Sequence, residues 1–78
     1  MNPTMIVDNF GNKYWYLENK LHREDGPALE YPSGTKIWYL NGKIHRVDGP
    51  AVEYPDGSKS WFLHDKHYAT EEEYRLAD

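Results

Sequence analysis

Trp15, Trp38 and Trp61 stand 23 positions apart, and Gly11, Gly34 and Gly57 keep the same step. A fixed period of this length marks a chain assembled from supersecondary units, none of which can bury its apolar side alone. The central unit occupies 34–56, with 11–33 before it and 57–69 after it. A partial N-terminal unit at 2–10 completes the array, because Met5-Ile6-Val7-Asp8 aligns with Ala28-Leu29-Glu30-Tyr31 and with Ala51-Val52-Glu53-Tyr54. The chain of 78 residues is thus expected to be a single repeat domain over 1–78, near the lower size at which one core supports folding.

Each Trp lies in a short aromatic run: Tyr14-Trp15-Tyr16-Leu17, Ile37-Trp38-Tyr39-Leu40 and Ser60-Trp61-Phe62-Leu63. Such runs bounded by turn residues read as strands. Pro32-Ser33-Gly34-Thr35 and Pro55-Asp56-Gly57-Ser58 place a fixed φ and a positive φ where a tight turn needs them. Asn41-Gly42 after the central Trp strand is a strong hairpin signal, and Glu18-Asn19 and His64-Asp65 hold the equivalent places. Gly26-Pro27 and Gly49-Pro50 cannot continue a ladder, so the chain loops before the next strand. The expected fold is all-β: an antiparallel β-hairpin repeat meander of 23-residue repeats in about three copies, with roughly seven to nine short strands. In the third copy the pattern breaks, and Thr70 with Glu73 forms a capping box that opens a short C-terminal α-helix over 70–77. Ala69, Tyr74 and either Leu76 or Ala77 are expected to face inward from it.

Strand alternation puts Trp15, Trp38 and Trp61 on one face with Leu17, Leu40 and Leu63. That face is expected to be the core, with Trp38 the most buried ring and Lys36 and Lys59 covering ring faces. Tyr16, Tyr39 and Phe62, joined by Ile37, fall on the opposite face. One chain this small can hardly bury both ladders, so these four are expected to form an exposed patch that binds a partner protein or pairs two chains as a homodimer.

His22, Arg23 and Asp25 recur as His45, Arg46 and Asp48. A cluster of imidazole, guanidinium and carboxylate can serve acid/base or phosphate chemistry, which makes His22, Arg23, His45 and Arg46 candidate ligand contacts. The structural alternative is that Asp25 and Asp48 accept backbone N–H groups in the Gly-Pro turn, while the arginines pair with them or with Glu30 and Glu53. Recurrence in register with the turns favours the structural alternative. No catalytic set is expected. His64 and His67 lack further ligands at a fixed spacing, and neither a metal nor a cofactor is expected.

With Trp38, Asn41-Gly42-Lys43, His45 and Tyr54-Pro55-Asp56-Gly57 in view, the unit resembles a MORN-type repeat. That family shares the 23-residue period, the Trp, a Gly-Lys-x-His stretch and a Pro-Asp-Gly turn, and the likeness runs from Met5 to Tyr68. Where the family follows its His with Gly-x-Gly, this chain has His-Arg-x-Asp-Gly-Pro-Ala, a variant similar to that of small bacterial and bacteriophage proteins. The resemblance implies a β-hairpin array acting in protein association, sometimes at membranes or lipid headgroups. Loss of the Gly-x-Gly weakens the lipid part.

Nine basic against thirteen acidic residues give a net charge of −4, with no basic cluster, so a nucleic-acid backbone is not the expected partner. No long apolar run predicts a membrane span. The absence of cysteine fits a cytoplasmic location, that of the host cell if the chain is phage-encoded. The expected function is that of a small non-enzymatic protein-binding module, a bacterial or phage accessory protein that docks on another protein and modulates it. The alternative is a small-molecule or nucleotide binder using aromatic and His-Arg side chains.

Overall fold

Residues 2–77 are described here from a computed structural model of the chain. Ten short antiparallel strands and one helix follow in order: β1 Thr4–Val7, β2 Lys13–Leu17, β3 Lys20–Leu21, β4 Leu29–Glu30, β5 Lys36–Ile37, β6 Tyr39–Leu40, β7 Lys43–Ile44, β8 Val52–Glu53, β9 Lys59–Leu63, β10 Lys66–Tyr68 and α1 Glu71–Ala77. The fold is therefore all-β apart from the C-terminal helix, as the turn and strand signals predict. Two kinds of hairpin alternate. In one, both central residues take positive φ: Glu18 and Asn19, Asn41 and Gly42, His64 and Asp65. This is the type I′ geometry whose twist suits paired strands. In the other, the carbonyls of Asp8, Tyr31 and Tyr54 accept the N–H of Gly11, Gly34 and Gly57, and each Gly continues at positive φ.

The sheet order is β1-β2-β4-β5-β8-β9-β10, with β3 branching from β2 and β6 pairing with β7. A fork at each Trp explains the branching. Trp15 donates its N–H to the Ala28 carbonyl and accepts from His22, and Trp38 repeats this with Ala51 and His45. The chain between those two bonds must leave the sheet and return to the same Trp. At the central copy the fork breaks the Trp strand in two, β5 before Trp38 and β6 after it. Lys13, Glu30, Lys36, Glu53 and Lys59 face one another in consecutive register across five strands, so their charges alternate in sign along the ladder.

The molecule measures 37 × 30 × 16 Å, a flat shape with little interior. Burial is correspondingly sparse: Ala28, Leu29, Ala51, Val52 and Tyr74 are the buried apolar residues. Trp38 is only half-buried, and the most buried ring is Tyr74 of α1. This corrects the expectation for Trp38. A single-layer sheet leaves an indole one flank in solvent, whereas α1 folds back on β9 and β10 and closes over its own Tyr. Thr70 Oγ1 accepts the Glu73 N–H, the N-cap bond expected from the sequence, and Glu71 to Glu73 stand at the positive end of the helix. Leu76 and Ala77 are exposed.

The first turn is held by Asp8. Its carboxylate accepts the N–H groups of Phe10 and Asn12, the Asn12 amide and the Tyr14 hydroxyl, at 2.9 to 3.0 Å. Partial desolvation pushes the Asp8 pKa upward, but these donors outweigh it and hold the carboxyl below its ordinary value. A carboxylate with a depressed folded-state pKa stabilises the fold above its unfolded-state pKa. That stabilisation is lost as pH falls through the folded-state value. The expected result is that the Phe10 and Asn12 amides lose hydrogen-exchange protection below the normal Asp range, and that Asp8→Asn shows no such acid transition.

Candidate functional site

The two segments between His and Ala form near-identical loops, each closed around an arginine. Arg23 Nε donates to Asp25 at 3.1 Å, and its Nη1 donates to the Pro27 carbonyl at 3.1 Å and lies 3.6 Å from Glu30. Arg46 makes the same set with Asp48 at 3.0 Å, the Pro50 carbonyl at 3.0 Å and Glu53 at 3.2 Å. Each guanidinium lies flat against the Trp at its own fork, 4.1 Å from the Trp15 ring centre for Arg23 and 4.0 Å from that of Trp38 for Arg46. The cover for the rings thus comes from the arginines, not from Lys36 and Lys59, which stand in the charge ladder instead. An Arg returns over the indole because its planar fork can stack and still reach three oxygens, which an ammonium cannot.

The glycine of the motif follows from this packing. A Cβ on Gly26 or Gly49 would stand 3.0 Å from the guanidinium carbon of Arg23 or Arg46. Gly49→Ala is therefore expected to lift Arg46 off Trp38 and cost about 1 kcal/mol. For a chain of this size that is a fall of roughly 4–8 °C in melting temperature. Asp48→Ala should cost less, because Asp48 is 81% exposed and a surface ion pair contributes about 1 kcal/mol at most. Thermal unfolding of the two variants ranks them. Asp25 and Asp48 receive the arginines; among the described residues no backbone N–H donates to either carboxylate, contrary to one alternative drawn from the sequence.

The imidazoles have a different task. His22 and His45 are buried, and each Nδ1 accepts a backbone N–H from the type I′ turn of the following unit: Asn41 for His22 and His64 for His45, both at 3.0 Å. An accepting ring nitrogen carries no proton, so these rings act as clamps between successive hairpins. His64 also packs at a tilt against His45 with ring centres 4.2 Å apart, and His67 lies against Phe62 at 5.0 Å. Among the described residues no group of three or more His, Asp or Glu is arranged to hold a metal.

Tyr16, Tyr39, Phe62 and Ile37 are all half-buried. Tyr16 faces Leu21, Tyr39 faces Ile44, Phe62 faces His67, and Ile37 lies between Leu29 and Val52. The returning strands of the hairpins supply that cover, and desolvation in this setting raises the Tyr39 pKa. The open apolar patch expected on this face is absent. More exposed apolar side chains occur elsewhere, notably Met5, Ile6 and Val7 on the edge strand β1 and Phe10, Tyr31 and Tyr54 at the turns.

A concavity opens beside Trp38. It is an open groove of about 490 Å³ between the two arginine loops, with Arg23 to Pro27 along one bank and His45 to Asp48 along the other. Trp38 and Leu40 form its apolar floor. Three of the candidate contacts, Arg23, His45 and Arg46, meet there, whereas His22 lines a separate hollow of about 160 Å³ with Pro3 and Glu24. Sequence reasoning assigned the arginines to possible ligand contact and the Trp face to the core, and so missed the groove. The available signal was the recurrence of Asp-Gly-Pro on both sides of Trp38, which puts two loops beside one ring. Comparison with protein-family models, curated proteins and solved structures finds no match to this chain.

Proposed function

We propose that this protein is a small non-enzymatic binding module that docks on another protein through the groove between its two arginine loops. The observation that carries this reading is the construction of the groove. It brings the apolar side chains of Trp38 and Leu40 together with the polar residues of both arginine loops, a mixed lining that suits a polypeptide segment. The groups with the greatest chemical capacity are already engaged in structure. The imidazoles accept turn N–H groups, and both guanidinium Nε and Nη1 atoms are tied to carboxylates and carbonyls. The resemblance to MORN-type repeats supports the same reading, including a role as a bacterial or phage accessory protein that modulates its target. Among the described residues no helix is long and apolar enough to cross a membrane.

The test is affinity capture from cells with the native chain, with Val47→Trp and with Tyr31→Ala. Val47 is exposed on one bank of the groove, so a bulky ring there obstructs the groove without disturbing packing. A protein retained by the native chain and by Tyr31→Ala but lost with Val47→Trp supports the proposal. Retention by all three places the docking surface elsewhere. A nucleotide that raises the melting temperature of the native chain but not of Val47→Trp would favour the small-molecule alternative.

A further inference from the structure

We infer that the groove is built to take a positively charged side chain, Lys or Arg, from a basic segment of the partner. This rests on the protein-docking reading and adds the chemistry of what docks. Each guanidinium in the site is outnumbered by its own carboxylates. Arg23 is flanked by Asp25 and Glu30, and Arg46 by Asp48 and Glu53. Glu30 and Glu53 stand outside the groove and face lysines in the charge ladder, so the lining itself carries a formal surplus of one negative charge, with Glu24, Asp25 and Asp48 against the guanidinium groups of Arg23 and Arg46.

The surplus is placed where a ligand would meet it. Asp25 and Asp48 are 88% and 81% exposed, stand on opposite banks, and each commits only Oδ1 to its arginine. Their Oδ2 atoms face no donor among the described residues. Glu24, exposed on the first bank, has no cation within 4 Å among those residues. The banks thus offer three carboxylates above a floor of Trp38 and Leu40. A long basic side chain matches this arrangement, because its methylene stem packs on apolar surface while its head stays at the polar rim. The whole chain, at a net charge of −4, would also draw such a segment by long-range attraction.

An anionic ligand is the competing occupant, since two arginines line the groove. The carboxylates disfavour it. A phosphate at either guanidinium would stand beside Asp25 or Asp48 and would compete with the oxygens that already hold both arginines.

The experiment is a heteronuclear NMR titration of the full chain with three blocked pentapeptides, Gly-Ser-X-Ser-Gly with X as Arg, Lys or Glu, and with inorganic phosphate. The expected result is a saturable shift of the Trp38 indole N–H and of the Leu40 and Val47 amides with the Arg and Lys peptides and not with the Glu peptide. Affinity should fall at least tenfold in Asp25→Asn combined with Asp48→Asn. It should hold within about twofold in Glu71→Gln combined with Glu72→Gln, which removes the same charge from α1, none of whose residues lines the groove. Because the Asp pair also steadies the arginines, Glu24→Lys serves as a second variant with no structural partner to lose, and a fall of three- to tenfold is expected. Shifts spread over all exposed carboxylates, an unchanged affinity in both groove variants, or phosphate as the ligand that moves Trp38 would each overturn the inference. The two proposals fail separately. Protein capture that is lost with Val47→Trp but kept in the Asn variants refutes the cationic chemistry alone, whereas peptide binding in the groove without any groove-dependent protein partner refutes the docking reading alone.

Discussion

Tyr74→Ala is expected to destabilise the domain by about 3–5 kcal/mol, the loss typical of removing a buried aromatic ring. Tyr74 is the most buried ring in the protein, at 5% exposure, and it packs edge-on against Tyr68 while α1 lies over β9 and β10. Its hydroxyl donates to the carbonyl of Arg46, the residue whose side chain covers Trp38. One side chain thus ties the terminal helix to the second arginine loop, 28 positions earlier in the chain. A single core in a chain this small rarely supplies more than about 3–5 kcal/mol, so the variant should be substantially unfolded near room temperature. Tyr74→Phe separates the two contributions. It keeps the ring and removes the donor, for a loss of about 1 kcal/mol. Leu76→Ala, at a position 80% exposed, should melt like the native chain. Urea and thermal unfolding followed by circular dichroism decide the matter. A native-like melt for Tyr74→Ala would mean that the helix is an appendage outside the cooperative unit.

Trp38→Ala should cost about 3 kcal/mol, toward the low end for an aromatic ring because the indole is half-buried. The ring carries three attachments at once. Its backbone is the fork at which the sheet divides, its face supports Arg46, and its flank forms the floor of the groove. A cycle combining Trp38→Ala with Arg46→Met isolates the stacking contribution, expected at about 1 kcal/mol of coupling. The groove should lose its ligand in Trp38→Ala even under conditions where the variant stays folded. If the substitution leaves both the melt and the binding unchanged, the Trp ladder is neither core nor floor.

Short-range chemistry accounts for what could be read in advance. The type I′ turn at Asn41-Gly42 was legible because positive φ at two successive positions is acceptable to those residue types, and the 23-residue spacing carried the same turn to Glu18-Asn19 and His64-Asp65, whose side chains alone would not have indicated it. The helix start at Thr70 was legible because an N-cap needs only a hydroxyl and an amide three residues apart. Antiparallel pairing followed from turns this short.

The destinations of the side chains were not legible. His22 reaches an amide 19 positions away, and nothing in its own sequence neighbourhood distinguishes an imidazole that accepts from a turn from one that binds a ligand. Likewise, Arg23 and Arg46 could have pointed to solvent, and only the return of each loop to the fork at its Trp places a guanidinium against the indole. Alternation along a strand put Trp38 and Leu40 on one face, and both line the groove, yet burial on each face depends on what lies above it. The hairpin returns bring Leu21, Ile44 and His67 beside Tyr16, Tyr39 and Phe62, while the arginine loops cover Trp15 and Trp38, and rings on both faces end half-buried. The sequence by itself determined the β class and the turns, because those depend on φ preferences and period-two alternation within a few residues, whereas the branching of β3 and of the β6-β7 pair from the main sheet was not foreseen. Tertiary structure alone decided which ring is most buried and that a groove opens between the two loops, because both depend on contacts between units that the chain brings together only on folding.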